Sequence, residues 1–195
     1  MTTSNAEQEP SSLAGLDKLS RPDLLEWLAI QEEMKAREAL LSPWFWLTEC
    51  TKTVDEQDQK TPYKPFPKRH YIRSLLDVIE NEPIVFLEKS RTMMASWTVS
   101  GWAAHKMFTR PATGVIFQSE DEDRAVHDVE YVKCLLEQSI APLKVRWKIK
   151  QEAYNYLMLE NDSWCVALVG NPEKIRSEHP TIVVLDEAAH IIRCE

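Results

Sequence analysis

The stretch FLEKSRTMMASW, Phe86 to Trp97, places two cations, Lys89 and Arg91, ahead of a hydroxyl, Ser96. Far downstream, VVLDEAA closes an apolar run with two adjacent acids, Asp186 and Glu187. Cations, a hydroxyl and paired acids are the groups that phosphoryl transfer uses. The cations would neutralise phosphate oxygens, and Ser96 with Asp186 would hold Mg²⁺, the acid acting through water. Glu187, one residue on, would polarise an attacking water as a general base. Each stretch also has a plainer reading. The first is then a strand-to-helix turn with two solvated cations, the second a strand whose acids cap the next helix. Both motifs in this order favour the phosphate chemistry.

Set against the phosphate-loop pattern G-x-x-x-x-G-K-[ST], Ser96 fits the last position. Ala95 replaces the lysine, Met94 the second glycine and Lys89 the first. The segment Lys89, Ser90, Arg91, Thr92, Met93, Met94, Ala95, Ser96 and Trp97 is therefore the candidate nucleotide loop, with no glycine in it. A long cation at its start can reach the γ-phosphate from the opposite side. The helix beginning near Ser96 adds the partial positive charge of its N-terminus. Met94 then has to carry a Cβ through a tight turn where glycine is usual.

The elements that must position these groups follow from pattern. Ser20, Pro22 and Asp23 make a helix start, and Leu24, Leu25, Trp27, Leu28, Met34 and Leu41 mark its apolar positions. Pro43 breaks or kinks the path. TKTVDEQDQKTPYKPFPK, Thr51 to Lys68, reads as a connecting loop, and His70 to Glu80 as a helix. Ile84 to Leu87 has the continuous apolar run of a strand buried on both faces, feeding the loop. A helix over Trp97 to Phe108 and a strand over Gly114 to Ser119 follow. Ser119-x-x-Glu122 reads as a capping box for the next helix, with Ala125, Val126, Val129, Val132 and Leu136 on its apolar face. Strictly alternating KVRWKIK, Lys144 to Lys150, reads as a strand with Lys144, Arg146, Lys148 and Lys150 on one face. That face is either a DNA-facing edge or an edge protected by charge. A hairpin is expected around Asn161-Asp162, and a last strand over Ile182 to Leu185. The alternation of strand and helix implies parallel α/β units.

Composition narrows the class without choosing a function. The chain has 195 residues, 44% of them hydrophobic, enough for a globular core. A net charge of −8 argues against a module that coats itself in nucleic-acid phosphate, though DNA remains possible as a substrate. No apolar run approaches a membrane span. Cys50, Cys134, Cys165 and Cys194 lack zinc-ligand spacing, which favours reduced thiols in a cytoplasmic protein.

With both motifs placed, the sequence resembles the N-terminal ATPase domain of phage large terminase subunits, the motors that pump DNA into proheads. Lys89 to Ser96 looks like that family's deviant loop, [KA]-[SA]-R-x-x-G-x-[ST], and Trp97 follows it. VLDEAA is similar to its acidic motif. PYKPFPKRHYIRSLLDVI resembles the family's adenine-contacting segment. Phe66 would pack on the base there, with His70 or Tyr71 in place of the usual Gln; otherwise Phe66 is a hydrophobic anchor. Arg176 stands where the family places an arginine near the nucleotide, an arginine finger unless it is a solvated loop residue.

The resemblance implies an α/β fold of the P-loop NTPase kind (ASCE, RecA-like). Its mostly parallel sheet would be flanked by helices, with an N-terminal helical extension, and the C-terminal part would be incomplete. It divides the chain into a flexible tail (1–19), a helical segment and linker (20–61) and a partial ATPase domain (62–195). The resemblance covers the ATPase part of the family's architecture and would leave its nuclease domain out. The implied cofactors are ATP and Mg²⁺. The implied partners are double-stranded DNA, a portal protein, a small terminase subunit and further copies in a ring, with no membrane, in the host cytoplasm at the prohead portal. The rival expectations are a helicase-like DNA translocase fragment and a non-catalytic ATPase remnant that serves as a binding module.

Overall fold

A computed structural model describes residues 20–55, 58, 60–89, 93–119, 121–169 and 179–186. The expected tail, 1–19, lies outside them. Ser20 opens helix α1 (Arg21–Leu41), its hydroxyl accepting from Asp23 N, with Pro22 in the first turn. Ser42 repeats the device. It ends α1 and caps α2 (Pro43–Cys50) by accepting from Phe45 N at 3.2 Å, so Pro43 starts a second helix. The segment expected to be a loop after Thr51 contains an antiparallel pair, β1 (Lys52–Val54) with β2 (Tyr63–Pro65). Helix α3 (His70–Asn81) buries Ile72 and Leu76.

Helix α4 (Ala95–Thr109) is buried on several sides, which its small residues permit. At Gly101 an added Cβ would lie 2.6 Å from Leu47 Cδ2, so this glycine lets α2 press directly onto α4. Strand β3 (Gly114–Ser119) follows, buried along its whole length, and then helix α5 (Glu122–Glu137). Asp121, not Ser119, caps α5, accepting from Asp123 N at 3.0 Å, so the expected capping box does not form. A short helix α6 (Ala141–Lys144) leads to β4 (Ile149–Ala153), β5 (Tyr156–Leu159), β6 (Trp164–Val169) and finally β7 (Ile182–Leu185).

The main sheet runs β4-β5-β6-β3-β7. It corrects the expected mostly parallel, RecA-like sheet: β3 is parallel to β6 and to β7, whereas β4, β5 and β6 pair antiparallel. Two causes produce the mixture. Tight turns at Tyr154-Asn155 and at Asn161-Asp162 join β4 to β5 and β5 to β6, and strands joined so closely pair antiparallel. Meanwhile Ile84 to Leu87, expected as a buried parallel strand, is irregular, with Ile84 75% and Phe86 93% exposed. The expected basic strand also dissolves. Lys144 ends α6, Arg146 pairs with Glu33 of α1 at 2.7 Å, and β4 begins only at Ile149. The hairpin around Asn161-Asp162 does form, with Asp162 left-handed at φ 63.

One hydrophobic core unites Trp46, Leu47, Phe66, Ile72, Phe117 and Leu135. Helix α5 packs on β3 and β6, α4 packs on α5, and α2 and α3 lie against α4. This stacking puts the N-terminus of α4 beside the C-terminal end of β7. Among the described residues no helix is long and apolar enough to cross a membrane.

Candidate functional site

Strand β7 delivers Asp186 as its apolar run ends, and Asp186 N donates to Gln118 O at 2.9 Å, tying that end to β3. Helix α4 delivers Ser96 in its first turn. The residue before the helix, Met94, is left-handed with φ 56 and ψ 21. A side chain costs roughly 1–2 kcal/mol in that region. What holds it is local: Met94 O accepts from Thr98 N at 2.9 Å and from Thr98 Oγ1 at 2.7 Å, while its side chain packs on the core. The turn that usually takes glycine is therefore made with methionine. No side chain caps the start of α4, and no acid lies in its first turn. The acid that meets this helix end comes instead from β7, as Asp186, and a helix N-terminus is a setting that favours an anion.

Lys89, Ser96 and Asp186 meet. Lys89 Nζ donates to Ser96 Oγ at 2.8 Å and to Asp186 Oδ1 at 2.8 Å. Ser96 Oγ in turn donates to Asp186 Oδ2 at 3.3 Å, across 90 residues of sequence. The ammonium thus bridges a hydroxyl and a carboxylate, the position a divalent cation would take between two hard oxygen donors. Both charged side chains keep some exposure, 32% for Lys89 and 23% for Asp186, so a solute can reach them.

A second carboxylate lies behind the first. Asp128 of α5 is 4% exposed and accepts from Ser100 Oγ at 3.2 Å. Ser100 sits one helical turn beyond Ser96 on α4, so one face of the helix offers a hydroxyl to each acid. Burial pushes the Asp128 carboxyl up to about 7, and the charge of Asp186 adds to this; the Ser100 hydrogen bond and Lys89 pull the other way. Ser119, at the end of β3, is fully buried, and its Oγ has no partner among the described residues. Alternation puts it on the face of β3 shared by Val115 and Phe117, which belong to the same core as the α5 residues Val129 and Val132.

The other expected site residues are placed differently. Phe66 is 1% exposed in the core, which fits an anchor and leaves no face open to a base. His70 and Tyr71 lie exposed in the first turn of α3. Among the described residues no hydrogen bond, ion pair or ring contact joins either to the Lys89 cluster. Trp97 stacks on Tyr131 of α5 with centroids 4.2 Å apart, so it clamps α4 to α5 beside the site. Met93 is exposed, and Ala95 is buried at the helix start. Ser90, Arg91, Thr92, Arg176 and Glu187 lie outside the described residues.

Sequence reasoning missed Asp128, although a signal was there. It occupies the apolar stripe of α5, between Ala125 and Val129, where an acid has no business without a task or a partner. Compared with known protein families and with curated proteins, the chain matches none.

Proposed function

We propose that this chain binds and hydrolyses ATP as the ATPase part of a DNA-packaging motor of the terminase large-subunit type. The observation that supports the nucleotide reading is the bridge of Lys89 Nζ between Ser96 Oγ and Asp186 Oδ1, both at 2.8 Å, at an uncapped helix N-terminus. The packaging role rests on the sequence resemblance of the loop and of VLDEAA, and the mixed sheet is no part of it. Double-stranded DNA, a portal protein, a small subunit and a ring of further copies would be the partners.

Ser96 and Asp186 suit Mg²⁺ by donor chemistry, a hydroxyl and a carboxylate oxygen. When bound, Mg²⁺ neutralises charge on the β- and γ-phosphate oxygens. Lys89 holds Asp186 and Ser96 in register until a phosphate competes for its ammonium. With a nucleotide bound, its ammonium would pair with a phosphate oxygen, and Ser96 and Asp186 would be the residues that hold the cation. The backbone N–H groups of the first turn of α4 bind a phosphate oxygen. In this reading Glu187 orients the attacking water, and Arg91 and Arg176 offset charge on the transferring group.

Titration calorimetry with ATP and Mg²⁺, alongside phosphate release, tests the proposal. Wild type is expected to bind, and Lys89→Ala and Asp186→Asn to lose about tenfold or more in affinity. Glu187→Ala is expected to bind but not turn over. No binding by wild type overturns the nucleotide reading. Binding without phosphate release would make the chain a non-catalytic nucleotide module.

A further inference from the structure

We propose that Asp128 is a positioning residue for the divalent cation, its carboxylate acting with Ser100 and Ser119 on the waters of a cation held by Ser96 and Asp186. The inference rests on the nucleotide-and-cation reading above and extends it to a group behind the loop.

Three observations support it. First, Asp128 is 4% exposed, and among the described residues its one hydrogen bond is the 3.2 Å contact from Ser100. A carboxylate removed from water costs several kcal/mol unless it is paired or well hydrogen-bonded. One hydrogen bond of that length does not supply this. Second, the charges of Asp186 and Lys89 act on it in opposite senses, Asp186 against its ionised form and Lys89 in favour of it. Lys89 is already engaged with Asp186 and Ser96. A phosphate that draws Lys89 away would take from Asp128 the ammonium charge that now favours its ionised form. Third, Ser119 Oγ is buried without a partner among the described residues, on the β3 face that looks toward the helices. A buried hydroxyl not bonded to protein is satisfied by a water or a ligand. Ser100 ties Asp128 to α4 one turn beyond Ser96. Ser119 follows Gln118, whose carbonyl accepts from Asp186 N, so these groups sit on the elements that bring Ser96 and Asp186 together. Hydroxyls and carboxylates are groups that orient metal-bound water.

The test uses the full chain, a non-hydrolysable ATP analogue and Mn²⁺ followed by electron paramagnetic resonance, at about pH 8, where an acid near 7 is ionised. Asp128→Asn is expected to weaken Mn²⁺ binding in the presence of the analogue by about tenfold. Affinity for the analogue without metal is expected to hold or rise, because a negative charge has left the neighbourhood of a phosphate. A merely structural role would lower both together. Mn²⁺ affinity within about twofold of wild type, or a parallel fall in both affinities, would overturn the inference. If Asp128→Asn does not fold, the pair Ser100→Ala with Ser119→Ala keeps the charge and removes the hydroxyls. It is expected to cost about threefold in Mn²⁺ affinity, and no loss there would count equally against the inference. Failure of wild type to bind Mn²⁺ with the analogue would overturn the underlying reading as well. Tight binding by wild type with an indifferent Asp128→Asn would overturn this inference alone.

Discussion

Met94 shows how a single residue can satisfy a turn that its type does not favour. With φ 56 and ψ 21 it pays the steric cost of a Cβ in left-handed space, and two hydrogen bonds from Thr98 with apolar packing hold it there. The strain can be separated from the packing by comparing two truncations. Both Met94→Gly and Met94→Ala lose the side chain's contacts, but only the alanine keeps the left-handed penalty. In denaturant unfolding, Met94→Gly is expected to be more stable than Met94→Ala by about 1 kcal/mol. An alanine variant as stable as the glycine variant would mean that this turn relaxes out of the left-handed region. The meeting of Lys89, Ser96 and Asp186 was legible at this scale, because cation, hydroxyl and acid are marked by residue type and order. Asp128 was harder to find, since its meaning depends on a face of α5 and on Ser100 across a helix interface.

At the scale of elements, what sequence pattern conveys is burial, and what it cannot convey is a partner. β3 and β7 were readable as β-branched or apolar runs bounded by turn residues, and both are strands. Ile84 to Leu87 carries the same kind of run yet forms no ladder among the described residues, because a strand exists only through the neighbour it bonds to. The meander of β4, β5 and β6 was only half read for a related reason. Its second turn has the Asn-Asp signature, whereas Tyr154-Asn155 announces no turn clearly, and the basic alternation from Lys144 suggested a strand five residues before β4 starts. Helix contacts depend on still finer detail. Gly101 allows α2 and α4 to touch, and a Cβ there would stand 2.6 Å from Leu47 Cδ2, with Leu135 Cδ1 at 3.2 Å. Leu47 is fully buried and has little room to turn away. Gly101→Ala is thus expected to destabilise the fold by about 1–3 kcal/mol despite alanine's better helix propensity. Thermal unfolding showing Gly101→Ala at or above wild type would mean that Leu47 repacks without cost. A truncation at Leu47 that restored stability to Gly101→Ala would identify the contact responsible.

Across the whole molecule, two buried groups titrate in opposite senses. His105 of α4 donates from Nε2 to Ala39 O at 2.9 Å, leaving Nδ1 a buried acceptor without a partner among the described residues. Burial lowers its pKa from 6.5 to about 4; Lys106 and Arg110 act in the same direction, the Ala39 carbonyl and Glu80 against it. Its contribution to stability is complete above 6.5 and is lost as pH falls through about 4. Asp128 is raised from 3.8 to about 7 by burial and Asp186, against Ser100 and Lys89. Its contribution is complete below 3.8 and is lost as pH rises through about 7. Between about 4 and 6.5 the two slopes oppose, so these groups leave stability nearly level there. Of the two, Asp128 alone continues to titrate above 6.5, and its effect is expected to lower wild-type stability up to and just past 7. In Asp128→Asn the compensation disappears. Its unfolding temperature is expected to climb as His105 becomes neutral and then to stay level, exceeding wild type at about pH 8 by several degrees. Melting both proteins across this range in metal-free buffer checks the expectation. A wild type with no decline near 7, or an Asp128→Asn variant with the same decline, would remove Asp128 as its source. A divalent cation should abolish the wild-type decline by stabilising the ionised carboxylate, which connects the pH profile to the site that Asp128 serves.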